Sequence, residues 1–197
     1  MTSMPTRNPE TDHLLTPNNC AFIFIDIEPI QVAAVQSMER RALVENIVAV
    51  AKTAKIFHIP VVLSIVNGAP SIPQLTEVLR GTPEIDRTTM NSWEDREFVA
   101  AVKATGRKKL VFCALWTEIC LSLAVLDALR EGYECYPIID AVGGTTRASH
   151  EAGLRRIEQA GARPISWTSL MGELQRDWAR SETAGPVGKV LFTVEGK

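Results

Sequence analysis

Cysteine is scarce in this chain, four residues at positions 20, 113, 120 and 135, and none stands in a Cys-x-x-Cys pair. Neither a zinc ribbon nor a disulfide framework is indicated, and a reducing compartment is expected. The three histidines, His13, His58 and His150, are isolated in sequence and are assigned no metal. Gly143-Gly144 is not followed by the spacing of a dinucleotide fingerprint. No apolar run reaches membrane-spanning length. The first fifteen residues, MTSMPTRNPETDHLL, lack the basic-then-apolar pattern of a secretory signal, so a cytoplasmic location is expected. A net charge of −2 argues against an electrostatic grip on nucleic acid or an anionic membrane. Internal repeats and low-complexity segments are lacking too.

What remains is an ordinary globular composition, 46% hydrophobic and 22% charged. Residues 1–18, with Pro5, Pro9 and Pro17, read as an extended arm, either loose or laid on a neighbouring subunit. Residues 19–181 form one domain, and residues 182–197 a tail whose segment Lys189 to Val194 is expected as an edge strand or a partner contact. Within the domain, apolar runs alternate with amphipathic helices. Strands are expected at Ala21–Ile25, 60–66, 84–87, 110–115, 134–140 and 163–167. Helices are expected at 42–58, 74–80, 95–105, 117–131, 149–160 and 170–180, the fifth capped by Ser149 and the fourth by Thr117. Such alternation predicts an α/β fold, a Rossmann-like three-layer α/β/α sandwich with a mostly parallel sheet. Ligands of such sheets gather beyond the strand C-termini.

Three residues on that edge attract attention. Cys120 falls on the first turn of a helix leaving a buried strand, where backbone N–H groups favour a thiolate, so its pKa is expected to be lowered. Cys20, Cys113 and Cys135 read as small buried hydrophobes. Asp26 closes a buried strand, a costly place for a carboxylate unless it is paired or at work. With Cys120 it forms a candidate acid–base and nucleophile pair. Arg87 is placed in a loop near the same edge. Glu28, Asn91, Trp93, Trp116 and Thr145 flank these positions and are expected to line a pocket.

Four stretches occurring in order, FIFID, IDRTTMNSWEDREFVAAVKATGRKKLVF, LWTEICL and YPIIDAVGGTT, together span roughly residues 18 to 180 in a pattern that resembles the isochorismatase-like cysteine hydrolase family. The chain is most similar to that family's ring-forming branch, in which arginine replaces the triad lysine. The resemblance implies a Rossmann-like sheet and a triad of Asp26, Arg87 and Cys120. It also implies a cis peptide at Trp116–Thr117, with the N–H groups of Thr117 and Cys120 forming an oxyanion hole. The implied chemistry is cleavage of a small amide, or a related C–N or ester bond, through a thioester. No histidine follows the second strand (SIVNGAP), so the metal site of the family's nicotinamidase branch is missing and neither metal nor cofactor is expected. A small-molecule substrate and a homo-oligomer, tetramer or octamer, are the implied partners. Two departures stand out. Glu28 replaces the usual glutamine, and Arg87, an arginine where the family has lysine, can serve only as a fixed cation. A catalytically silent ligand-binding or scaffolding homo-oligomer, or a redox-active thiol protein, are the alternatives.

Overall fold

The structure is a computed structural model and describes residue 4 and residues 7–194. Pro5 of the expected arm and residues 195–197 of the tail lie outside the described residues. Among the described residues five parallel strands, β1 (Cys20–Ile25), β2 (Val61–Val66), β3 (Glu84–Arg87), β4 (Lys109–Ala114) and β5 (Glu134–Pro137), form one sheet in the order β3-β2-β1-β4-β5.

The side-chain period of two divides the strands between two cores. Phe22, Phe24, Val111 and Cys113 point to one face, under α2 (Arg40–Ile56), α3 (Pro73–Val78), α7 (Trp167–Gln175) and α8 (Ser181–Val194). Ala21, Ile23, Ile25, Leu110 and Phe112 point to the other, under α4 (Arg96–Ala104), α5 (Ser122–Arg130) and α6 (Arg147–Gln159). Short α1 (Pro29–Ala34) follows β1 at the sheet's C-terminal edge. The three layers are thus those the alternation predicts. The strand order reverses between β1 and β4, and the crevice beyond their C-termini is the usual ligand position of such sheets. No helix among the described residues is long and apolar enough to cross a membrane.

Several boundaries differ from the sequence reading. Helix α2 starts earlier because the Glu39 carboxylate accepts from the N–H groups of Arg41 and Ala42. Helix α6 is capped by Thr146, which accepts from Ser149 N–H, rather than by Ser149. The expected strand at 163–167 shrinks to one bridge, Ile138 to Ile165, since Pro164 has no N–H to give and Ser166 already caps α7. Lys189 to Val194 is helical, not an edge strand. Val187 is fully buried and Val190 and Leu191 pack beside it, an i, i+3, i+4 face laid against the core. That burial offsets the roughly 3 kcal/mol cost of Pro186 inside the helix.

From residue 8 onward the arm lies on its own chain. Lys109 Nζ donates to the carbonyls of Asp12, His13 and Leu14 at 2.7, 3.0 and 3.1 Å. Arg176 pairs with the buried Asp12 carboxylate and donates to Leu15 O at 2.9 Å. Glu173 accepts from Leu15 N–H at 2.6 Å. Replacing Lys109 by methionine keeps the stem but leaves three carbonyls without their donor. Lys109→Met is expected to cost about 2–3 kcal/mol, read from the midpoint of urea unfolding.

Candidate active site

Strand β1 ends at Ile25, and Asp26 turns out of the sheet with φ +56° while its N–H still donates to Ser64 O at 2.9 Å. Arg87 is the last residue of β3, not a loop residue, two strands away from β1. Its guanidinium spans the intervening β2. Nε donates to Ser64 Oγ at 3.1 Å, Nη1 to Thr89 O, and Nη2 to Asp26 Oδ2 at 2.5 Å. Both side chains of the ion pair are essentially inaccessible, at 0% and 1%. Three directional bonds fix the cation in place, a use of the planar fork that a lysine could not reproduce.

Cys120 arrives from β4 through a turn with a wider helical period. In Thr117–Leu121 the N–H of Leu121 reaches back five residues to Trp116 O at 3.2 Å, and the ordinary helix α5 begins only at Ser122. Single π turns of this kind are frequent at functional sites. Thr117 makes no side-chain cap. The half-buried Cys120 thiol interacts with the Asp26 carboxylate, whose Oδ1 lacks any ordinary hydrogen-bond partner. The three residues expected to act together are therefore joined through one carboxylate.

The electrostatics overturn one expectation. Burial, and then the neighbouring Asp26 charge, push the Cys120 thiol up to about 12, against the opposing pull of Arg87 and of the Trp116 N–H. The helix-terminus argument fails because the turn is buried and the Asp26 carboxylate adjoins the thiol. Burial also raises the Asp26 carboxyl, with Arg87 and the Cys120 thiol opposing it. Two acids here compete for one cation, so they share a proton rather than both losing theirs. The resting thiol is protonated, beside a carboxylate more basic than usual.

The remaining expectations divide. The cis peptide is Leu115–Trp116, one residue earlier than Trp116–Thr117. Thr117 N–H cannot serve an oxyanion hole as placed, because it donates to Gly143 O at 2.9 Å. Trp116 is half-buried, its indole N–H donating to Gln31 O at 2.9 Å, and its backbone N–H faces the Cys120 sulfur. Glu28 is buried, and its Oε1 accepts from Val66 N–H at 2.7 Å at the end of β2. The charge that replaces glutamine thus satisfies a strand terminus, and burial raises its pKa. Asn91 and Trp93 turn toward α5, donating to Asp127 at 2.7 Å and Glu131 at 3.0 Å. They brace the helix that follows Cys120. Thr145 gives both its N–H and its hydroxyl to Glu118 Oε1, at 3.0 and 2.5 Å.

Sequence reasoning missed Ser64, Glu118 and His150. A serine inside the apolar run PVVLSIV was the one available signal for the first; nothing in the spacing marked the others. Among the described residues no cluster of three or more His, Cys, Asp and Glu could hold a metal ion. Two large surface grooves, about 890 and 610 Å³, lie along α2 beside α3 and α8 rather than at Cys120.

Comparison with known proteins follows the same lines. The family profile described as isochorismatase domain matches residues 20–169. The probable hydrolase YcaC of Escherichia coli is 32% identical over 170 residues, covering 83% of this chain and 81% of its own. The secreted isochorismatase effector Isc1 of Phytophthora sojae is 26% identical over 136 residues, 66% of this chain and 65% of its own. Among solved structures, YcaC from Pseudomonas aeruginosa, with hexane-2,5-diol and covalent acrylamide, superposes with a TM-score of 0.87 at 30% identity, over 94% of this chain and 96% of that one. The E. coli ycaC gene product, described as an octameric hydrolase of unknown specificity, gives 0.83 at 27% identity, over 94% and 98%.

Helix α6 packs on the Cys120 turn through Gly153, where an added Cβ would lie 3.0 Å from Glu118 Cα and 3.1 Å from both Glu118 N and Thr117 O. All three are backbone atoms and cannot swing aside. Gly153→Ala should therefore destabilise the protein by about 1–3 kcal/mol, although alanine is the better helix former by about 1 kcal/mol. Urea unfolding reads the sign directly.

Proposed function

This chain belongs to the isochorismatase family, and from that premise we propose that it is a metal-independent cysteine hydrolase acting on a small amide or a related C–N or ester bond. The observation that carries this reading is one buried carboxylate, Asp26, that pairs with a guanidinium and also interacts with a thiol. Cys120 is the nucleophile, Asp26 the general base and acid, and Arg87 the permanent cation that keeps the cluster near neutrality as the proton moves.

The steps balance as follows. The Cys120 sulfur attacks the carbonyl carbon while its proton passes to Asp26, and the carbonyl oxygen takes the negative charge. Backbone N–H groups of Trp116 and Cys120 are the donors proposed for that oxygen, Thr117 N–H being committed to Gly143. As the tetrahedral centre collapses, Asp26 returns the proton to the leaving amine or alcohol, leaving an acyl thioester. Water then attacks the thioester, giving one proton to Asp26. The carboxylic acid departs, and the thiol recovers that proton. Arg87 exchanges no proton at any step.

The cytoplasmic location and the homo-oligomer expected from the sequence are part of this proposal, and the octameric E. coli relative supports the second. Ligand binding or scaffolding without turnover, and a redox role for Cys120, are the outcomes against which it is tested.

Incubated with a panel of small amides and esters, the wild type should carry an acyl adduct by intact-protein mass spectrometry, and Cys120→Ala none. Ligand binding unchanged in Cys120→Ala, with no adduct on the wild type, would instead mark a binding protein. The rate of Cys120 alkylation by iodoacetamide supplies a second check. A thiol with its own base reacts at a rate nearly independent of pH once that base is ionised, whereas an ordinary thiol gains about tenfold per pH unit below its pKa. The wild-type rate should stay level from about pH 6 to about pH 8 and fall as acid titrates Asp26, with a midpoint above the usual carboxylate value. Asp26→Asn should restore the ordinary slope over that range; because it also removes the anion that raises the thiol, the slope and not the absolute rate is the readout. A wild-type rate with the free-thiol slope throughout would refute the general-base role.

A further inference from the structure

Three contacts behind Cys120 converge on its turn, and none belongs to the triad. His150, on the first turns of α6, lies with its Nδ1 2.8 Å from the Thr117 hydroxyl. Glu118 Oε1 takes two bonds from Thr145, in the loop leading to α6. Gly153, a turn beyond His150, brings α6 against the backbone of residues 117 and 118. The space is shared closely, for a Cβ on Gly144 would lie 2.7 Å from Glu118 Oε2 and 2.8 Å from His150 Cβ. A turn with a five-residue period has a looser backbone ladder than an α-helix. From just beyond it, at the start of α5, Ser122 Oγ donates to Thr117 O at 2.5 Å, so Thr117 is the point where side-chain bonds from both directions meet.

We propose that His150 is a positioning residue for the nucleophile, holding the Cys120 turn in register with Asp26 through the Thr117 hydroxyl. The inference rests on the reading of Cys120 as nucleophile. It assigns a role to a residue outside the triad that touches neither thiol nor carboxylate. Burial holds the imidazole below its usual pKa, with Glu118 and Glu151 opposing, so near neutral pH it is uncharged and bonds the hydroxyl as donor or acceptor. The loss is expected in the chemical step rather than in binding, because a displaced sulfur no longer meets its base.

The test uses the full chain and four variants. His150→Leu and Thr117→Val remove the bond. His150→Asn and Thr117→Ser keep a polar atom near the same place. Alkylation of Cys120 by iodoacetamide across about pH 6 to about pH 8 is expected to slow about tenfold or more in the first two, with a profile steepened toward that of a free thiol. The conservative pair should stay within about threefold of wild type. Where His150→Leu fails to fold, Thr117→Val carries the same comparison. Wild-type rates and profiles in folded His150→Leu and Thr117→Val would overturn the proposal, as would equal losses in the conservative pair. Should wild-type Cys120 prove inert, the nucleophile reading fails by itself, and amide hydrogen exchange over residues 117–122 decides this one. Faster exchange confined to that turn in the Leu and Val variants supports it. Unchanged exchange, or exchange raised across the whole chain, overturns it.

Discussion

One carboxylate with no access to water is asked to satisfy a cation and a thiol at once. Asp26 pairs with Arg87 through one oxygen and leaves the other without an ordinary partner. Burial favours its neutral form, and the guanidinium favours its charged form. Cys120 is caught in the same balance, since its anion would have to sit beside that of Asp26. The arrangement is close to neutral with one proton and two sites for it. Losing that proton would strand an extra buried charge, and gaining a second would leave the cation uncompensated. Keeping that buried charge balance is the constraint the surrounding structure meets, and the proposed proton transfer from sulfur to oxygen leaves it unchanged.

The fold meets that constraint with few parts. Parallel strands bring three chain segments to one edge, beside the reversal of order between β1 and β4 where ligands of such sheets usually bind. Ser64 on β2 supports the guanidinium as it crosses from β3 toward β1. Glu28 accepts the N–H at the end of β2, which gives the unusual carboxylate a structural task near the site. Asn91 and Trp93 fasten the segment after β3 to α5, while α6 presses on the turn between β4 and α5. The cysteine's turn and the helix after it are thus held from two sides.

Much of this was legible in the residues. Ala21–Ile25 and the run from Leu110 to Leu115 are apolar without interruption, as strands covered on both faces must be; the acid follows the first directly and the thiol follows the second after four residues. Boundaries set by a single side chain were not legible. Glu39 and Thr146 recruit nearby N–H groups and start their helices before the apolar period begins. The tail misled because Lys189–Val194 is apolar enough for either element, and Val187, packed into the core, decides for helix. The arm's fate turned on Lys109 and Arg176, distant in sequence and each committed to its carbonyls.

Sequence alone determined the layers, the edge on which chemistry could occur, and three residues there, because hydrophobic period and strand direction are local properties of the chain. Tertiary structure decided which way the thiol titrates, which N–H groups are already committed, and that His150 stands behind Thr117. Those depend on dielectric and on distances of a few ångströms between segments far apart in sequence. No one-dimensional pattern records them.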